Sequence, residues 1–386
     1  MSDRMTFVMV GGGLAGAKAA ETLRDEGFDG RVVIVGAEPQ LPYERPPLSK
    51  SYLAGDSTLA EAQVHDDAFY ATRDIELLTG VEATALDPGA HRLRLTDGGE
   101  LRYDRLLIAT GAVPRRPPIA GHVLRSVADA DVLRAAIEKG GRLVVIGAGW
   151  IGCEVAATAR GLGAEVTVVE QGATPLERVL GARLGTFFAD LHRGHGVDLR
   201  LNAGVAAVED RTVRLTDGRE LTADAVLLAV GVKPATGLAE AAGLEVGDGI
   251  VADQHLRTSA PDVFAAGDVA SALHPRYGRR IRVEHWDNAQ EQGVAAARSM
   301  LDAPEPYDKV PYFFSDQYDL GLEYVGLHDP GDELVIRGSI DERHFQAFWI
   351  GADGTVSAGM HVNDWDSIGP IRAVVESRGR LESIVS

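Results

Sequence analysis

Phe7-Val8-Met9-Val10-Gly11-Gly12-Gly13-Leu14-Ala15-Gly16 reads as an apolar strand that runs straight into a glycine turn. An alanine-rich stretch through Ala17, Ala19, Ala20 and Leu23, closed by Gly27, continues it as a helix. The β-branched run Val32-Val33-Ile34-Val35 is the next strand, and Glu38 lies 22 positions beyond Gly16, close to the ~20 expected for an acid that binds a ribose. Each glycine meets a separate demand. Gly11 permits the tight turn, Gly13 lets the backbone approach a pyrophosphate, and Gly16 allows close helix packing. The helix N-terminus then faces the phosphate charge.

The same unit recurs 136 residues later, as strand Leu143-Val144-Val145-Ile146, turn Gly147-Ala148-Gly149-Trp150-Ile151-Gly152, a helix to Leu162 closed by Gly163, and strand Val166-Thr167-Val168-Val169 ending in Glu170. One such glycine pattern is a weak signal; two, each with strand, helix, second strand and terminal acid in place, are a strong one. Arg105-Leu106-Leu107-Ile108-Ala109-Thr110-Gly111 and Ala225-Val226-Leu227-Leu228-Ala229-Val230-Gly231 are buried-type strands, each closing its own Rossmann-like sheet. Val263-Phe264-Ala265-Ala266-Gly267-Asp268 is a short apolar strand whose terminal Asp268 is placed to accept hydrogen bonds from a polyol at a sheet's carboxyl edge.

The remainder of the composition narrows the field. The chain has 386 residues, of which 45 are glycine, about 12% against a usual ~7%. Acidic residues outnumber basic ones 57 to 38, giving a net charge of −19, which repels nucleic-acid phosphates and anionic membrane surfaces. No apolar run approaches the ~20 residues of a membrane span. The start enters an apolar strand directly, without the basic and long apolar regions of a signal peptide, so a cytoplasmic protein is expected. Cys153 is the sole cysteine, which excludes an intrachain disulfide or a Cys-x-x-Cys pair. Any redox chemistry must therefore come from a bound cofactor.

With these residues in view, the chain resembles the flavoprotein pyridine-nucleotide oxidoreductases, in which an NAD domain is inserted into an FAD domain. Within them it is similar to the ferredoxin, rubredoxin and putidaredoxin reductases of oxygenase systems, with apoptosis-inducing-factor-like proteins as close relatives. The most specific stretch is Pro42-Tyr43-Glu44-Arg45-Pro46-Pro47-Leu48-Ser49-Lys50, which in related disulfide reductases is replaced by a segment carrying redox cysteines. Thr258-Ser259, Glu284-His285-Trp286-Asp287-Asn288-Ala289 and Ser315-Asp316-Gln317-Tyr318 match as well. The resemblance implies an α/β architecture of two Rossmann-like nucleotide-binding domains and a small C-terminal α/β domain. The expected boundaries are 1–112 with 242–308 for FAD, 113–241 for NAD and 309–386 for the C-terminal interface domain.

The resemblance further implies that Gly11, Gly13, Gly16 and Glu38 hold the adenosine diphosphate half of FAD. Arg45, Lys50, Thr110, Gly111, Arg115, Gly267, Asp268, Glu284, Trp286 and Phe314 would be its other contacts. Gly147, Gly149, Gly152 and Glu170 would hold NADH, and Lys50 would pair with Glu154 beside flavin N5. The implied activity is an NADH-dependent reductase passing electrons through FAD to a ferredoxin-type iron–sulfur protein of an oxygenase system. A diaphorase acting on quinones or dyes and an apoptosis-inducing-factor-like redox sensor are the alternatives. Only 5 of the 38 basic residues are lysine, so Lys50 is not the chain's default cation, and a compact ammonium differs from a broad guanidinium.

The chain departs from its oxygenase-branch relatives at Tyr312-Phe313-Phe314, where tryptophans often flank the phenylalanine, and at His285, where a small residue is common. Phe314 keeps an aromatic face but lacks an indole N–H. Arg276, Arg279, Arg280 and Arg282 form a basic run in an acidic protein, a candidate docking patch for the iron–sulfur partner, with Arg372, Arg378 and Arg380 as the alternative. Cys153 is expected to be a small buried residue. His192 and His195 lie three apart on an expected helix without an evident third ligand, so no metal site is expected. Monomer and homodimer both stay open.

Overall fold

The computed structural model describes residues 4–137 and 141–383. The chain divides into two compact units, one made of Met1–Glu44, Leu59–Val113 and Lys233–Pro311, the other of Arg45–Thr58, Pro114–Val232 and Tyr312–Ser386.

The first unit is built on a five-stranded parallel sheet, in the order Val263–Ala265, Arg105–Ile108, Thr6–Val10, Arg31–Gly36, Ile75–Thr79. The apolar runs read as buried strands because they are covered on both faces. Phe7 and Met9 point into a core with Ala15, Ala19 and Leu23 of the helix Leu14–Asp25 and with Ala296 and Met300 of the helix Trp286–Met300. Val8 and Val10 point the other way, onto Leu86, Leu93 and Leu101 of a three-stranded antiparallel sheet. That alternation is the period of two that a strand imposes.

The second unit repeats the plan. Its four-stranded parallel sheet runs Asp198–Arg200, Glu165–Val169, Arg142–Ile146, Ala225–Leu228. Val144 and Ile146 meet Val213 and Leu215 of another three-stranded antiparallel sheet. On the opposite face Leu143 and Val145 join a larger core with Phe187 and Phe188 of the helix Glu177–Gly194. That core also takes in Phe313, Phe345, Ala347 and Trp349 from a five-stranded antiparallel sheet over Tyr312–Val362. Phe187 and Phe345 meet edge to face with ring centres 5.2 Å apart, a favoured aromatic geometry. The helix Ile368–Glu376 closes the C-terminal sheet through Ile371, Val374 and Val375. Among the described residues no helix is long and apolar enough to cross a membrane.

Candidate functional site

In the first unit, three turns meet at the carboxyl edge of the parallel sheet. Gly11 has φ +131°, and a Cβ there would strike the Ala109 carbonyl oxygen, so the glycine turn lies directly on the Ala109–Gly111 turn. A Cβ on Gly16 would strike the Gly11 carbonyl, and one on Gly267 would come within 3.3 Å of the Ala15 Cβ. Gly13 differs from all of these. A Cβ there would meet no atom within 4 Å. Gly13 caps the helix Leu14–Asp25 without a side-chain hydrogen bond, and no acid sits in the first turn, so the helix start offers bare N–H groups to an anion.

Around this cradle stand the other expected residues of the first unit. Glu38, half-buried beyond the strand Arg31–Gly36, accepts a hydrogen bond from the Tyr43 hydroxyl. The Thr110 hydroxyl donates to the Ala235 carbonyl at 2.9 Å, and the Ala235 N–H returns a bond to the Gly111 carbonyl at 2.9 Å. Gly267 begins a short 3-10 turn and donates its N–H to Gln292 Oε1 at 2.9 Å, leaving Asp268 8% exposed at the turn's centre. Glu284 is ion-paired with Arg282, and Trp286 opens the helix that His285 caps. Burial pushes His285 down to about 4 against the raising field of Asp268, so it is neutral at physiological pH.

The second unit carries a matching cradle. Gly147 has φ +103° and a Cβ on it would strike the Ala229 carbonyl; one on Gly152 would strike the Gly147 carbonyl. At Gly149 a Cβ would again meet nothing within 4 Å. Glu170 accepts the Ala148 N–H at 2.7 Å on one oxygen and the Gly172 N–H at 2.7 Å on the other. Its carboxylate therefore braces the glycine turn from the end of the next strand. Cys153 is buried, with its thiol held well above its ordinary value by burial, which keeps it inert.

Arg45, Lys50, Arg115, Glu154 and Phe314 also belong to the second unit. Arg115 is exposed, its Nε donating to the Val232 carbonyl at 3.0 Å, and Arg45 donates to the Arg125 carbonyl. Lys50 follows the turn that Pro46 and Pro47 start, and its Nζ lies 2.9 Å from Glu154 Oε2 and 5.6 Å from the Phe314 ring centre. Glu154, on the helix Trp150–Gly161, is 4% exposed. A buried carboxylate costs several kcal/mol unless it is paired and hydrogen-bonded. Here the Ser49 hydroxyl donates to Oε2 and the Ser315 hydroxyl to Oε1 at 2.7 Å. Beyond Ser315, Gln317 and His192 continue the network.

Sequence reasoning quoted Ser49, Gln317 and Tyr318 only within matching stretches and gave them no role, and it did not single out Gln292. The contacts of Ser49, Gln292 and Gln317 span 105, 25 and 125 residues, and no local periodicity marks them. Of the basic run, Arg282 is held between Asp248 and Glu284, and Arg280 donates to the Ala252 and Ser271 carbonyls. Arg279 and Arg280 are exposed residues. Among the described residues no group of three or more histidine, cysteine or acidic side chains is placed to hold a metal ion.

Each cradle fits a dinucleotide, because the space a Cβ would fill at Gly13 or Gly149 lies at an uncapped helix start. Residues 5–293 match the family model of the pyridine nucleotide-disulphide oxidoreductases, and residues 312–384 match a reductase C-terminal model. The chain is 42% identical over 357 residues to the 5,5'-dehydrodivanillate O-demethylase ferredoxin reductase subunit of Sphingobium sp., covering 89% of this chain and 86% of that one. It is 40% identical over 379 residues to the ferredoxin–NAD(+) reductase component of the anthranilate 1,2-dioxygenase system of Burkholderia cepacia, covering 96% and 93%. The crystal structure of the ferredoxin reductase for the CYP199A2 system from Rhodopseudomonas palustris superposes with a TM-score of 0.95 at 34% identity, covering 99% and 97%.

Proposed function

The chain belongs to the pyridine nucleotide-disulphide oxidoreductase family, and from that premise we propose that it is an FAD-dependent NADH:ferredoxin reductase serving an oxygenase system. One observation carries the reading: the chain has two dinucleotide cradles but only a buried, inert cysteine. Electrons arriving from one nucleotide at another have no thiol pair to enter, so they leave to an external acceptor. The family's reductases for oxygenase ferredoxins use that route, and the relatives above carry that activity in their names.

In this reading residues 1–112 and 242–308 form the FAD domain, 113–241 the NAD domain and 309–386 the interface domain. Gly11, Gly13 and Gly16 hold the FAD pyrophosphate at the helix start, Glu38 the ribose, and Asp268 the ribityl chain, with Thr110, Gly111, Glu284 and Trp286 lining its course. Arg45, Arg115 and Phe314 complete the contacts. Gly147, Gly149, Gly152 and Glu170 hold NADH. When bound, FAD supplies the chemistry, taking a hydride from NADH at N5, gaining negative charge and giving up two electrons singly. Lys50 places an ammonium at that edge, and Glu154 orients it. The enzyme works in the cytoplasm, where NADH is supplied.

The test is turnover. Purified holoprotein should bleach its flavin absorbance with NADH and pass electrons to a [2Fe–2S] ferredoxin, read as ferredoxin-dependent reduction of cytochrome c. Reduction of quinones without ferredoxin turnover would make it a diaphorase. A flavin–NAD absorbance band that persists in air would make it a redox sensor.

Glu170 should set the coenzyme preference, since a carboxylate binds a ribose 2′-hydroxyl and repels a 2′-phosphate. Glu170→Ala should narrow the ratio of kcat/KM for NADH over NADPH about tenfold or more, the worth of a hydrogen bond to a charged group. It should also weaken NADH binding by releasing the Ala148 and Gly172 N–H groups. A wild-type enzyme that used NADPH as well as NADH would overturn the assignment.

Docking of the acidic iron–sulfur protein is assigned to Arg279 and Arg280, with Arg276 beside them; Arg282 is committed to its own carboxylates. At a net charge of −19 the encounter needs a local positive patch. Exchanging Arg279 and Arg280 for glutamine should raise the KM for ferredoxin about three- to tenfold at low salt and flatten its salt dependence. Flavin reduction by NADH should be unaltered. Unchanged ferredoxin kinetics would move docking to Arg372, Arg378 and Arg380.

A further inference from the structure

The hydrogen bonds behind Glu154 can run in only one direction. Glu154, paired with Lys50 at 2.9 Å, accepts and cannot donate, so the proton of the Ser315 hydroxyl is spent on Oε1 at 2.7 Å. Ser315 Oγ must then accept from Gln317, whose Nε2 lies 3.3 Å away. This fixes the Gln317 amide with its oxygen towards His192 Nε2, 2.9 Å off, and an amide oxygen only accepts. His192 therefore carries its proton on Nε2. Its Nδ1 is left to accept from the Tyr318 hydroxyl at 2.9 Å. Four donors form one line, Tyr318 to His192 to Gln317 to Ser315, aimed at the Glu154 carboxylate that accepts at its end. His192, Gln317, Ser315 and Glu154 are each at most 4% exposed.

We propose that His192 is a positioning residue for the reductase site, acting through Gln317 and Ser315 to hold the Glu154 carboxylate oriented against Lys50. The proposal rests on the reading that Lys50 and Glu154 act at the flavin. Aligned hydrogen bonds polarise one another, and in a buried site the terminal acceptor gains most. With Ser315 oriented on one oxygen and Ser49 on the other, the carboxylate is fixed in the position that faces the Lys50 ammonium. His192 suits the distal end because it is neutral: burial pushes it down to about 4, with His195 adding to the fall and the Gln317 bond opposing it. Tyr318 is itself fixed by stacking on His195, ring centres 3.7 Å apart. The pair of histidines that looks like an incomplete metal site in sequence is thus an anchor for the glutamine of the Ser315-Asp316-Gln317-Tyr318 stretch.

The test uses holoenzyme and two readouts, anaerobic stopped-flow reduction of the flavin by NADH and the flavin midpoint potential. His192→Leu should slow reduction about three- to tenfold and shift the potential negative, the loss expected when a charge-assisted hydrogen bond is weakened through its neighbours. NADH affinity should be unaltered. His192→Gln, which restores an N–H donor, should recover most of the rate. In a Lys50→Met background His192→Leu should add less than about twofold, because both act through one group. If His192→Leu does not fold, Ser315→Ala carries the same comparison from the proximal end. Unchanged rate and potential in both variants, with Lys50→Met slow, would overturn the proposal alone. Additive losses would overturn it too, since His192 would then act by another route. An unaffected Lys50→Met would overturn the reading of the Lys50–Glu154 pair and this proposal with it.

Discussion

Replacing Gly13 with leucine is expected to give folded, colourless protein. A Cβ at Gly13 meets no atom within 4 Å and the backbone there has φ −95°, a region open to any L-residue. The chain itself therefore tolerates a side chain at this position. The space it would fill is the one at the bare helix start, where a pyrophosphate must approach the backbone. FAD affinity should fall at least about a hundredfold, on the order of 3 kcal/mol, with the fold retained by circular dichroism. Gly149→Leu is the matched control, because Gly149 is equally open in the second cradle. That variant should be yellow and fail to be reduced by NADH. A yellow Gly13→Leu protein with full flavin occupancy would remove FAD from the first cradle, and a colourless Gly149→Leu protein would reverse the two assignments.

Lys50→Met should keep FAD bound and slow its reduction by NADH about a hundredfold, the lower end of the range seen when one donor is removed from a site of developing negative charge. The midpoint potential should fall in step, because the reduced, anionic form loses its adjacent ammonium. Methionine keeps the length and apolar stem of lysine, so packing against Phe314 is largely preserved. Removal of Lys50 also leaves Glu154 buried with two serine donors and no cation, so Glu154→Gln in the same background should recover stability but not rate. Stopped-flow traces indistinguishable from wild type would reduce the pair to a structural ion pair.

Much of the frame was legible because it rests on local rules. The two glycine turns, their helices and the strands that flank them follow from steric needs within a few residues, and Gly11 and Gly147 do adopt the positive φ that the turn demands. The continuous apolar run Leu143-Val144-Val145-Ile146 read as a strand, but nothing in it said what covers its two faces. That the C-terminal stretch packs Phe313, Phe345 and Trp349 into one core with the second nucleotide-binding sheet was not legible either. The network behind Glu154 was hidden for a different reason. Ser49, Glu154, His192 and Ser315 come from four separate segments, and a polar side chain carries no periodic signature of what it bonds. Gln292 was invisible likewise, since one glutamine on an amphipathic helix looks like part of its polar face.

The shared core of the second unit constrains how such a reductase can change partners. Phe187, Phe188, Phe313, Phe345 and Trp349 are interlocked, so the C-terminal sheet is not a cassette that recombination can replace without uncovering the helix Glu177–Gly194. A segment exchanged into this chain has to supply the partners of Phe187 and Phe188 to keep that core filled. A lineage built on this scaffold should show variable charge on its surface over an interior aromatic set that changes only in concert.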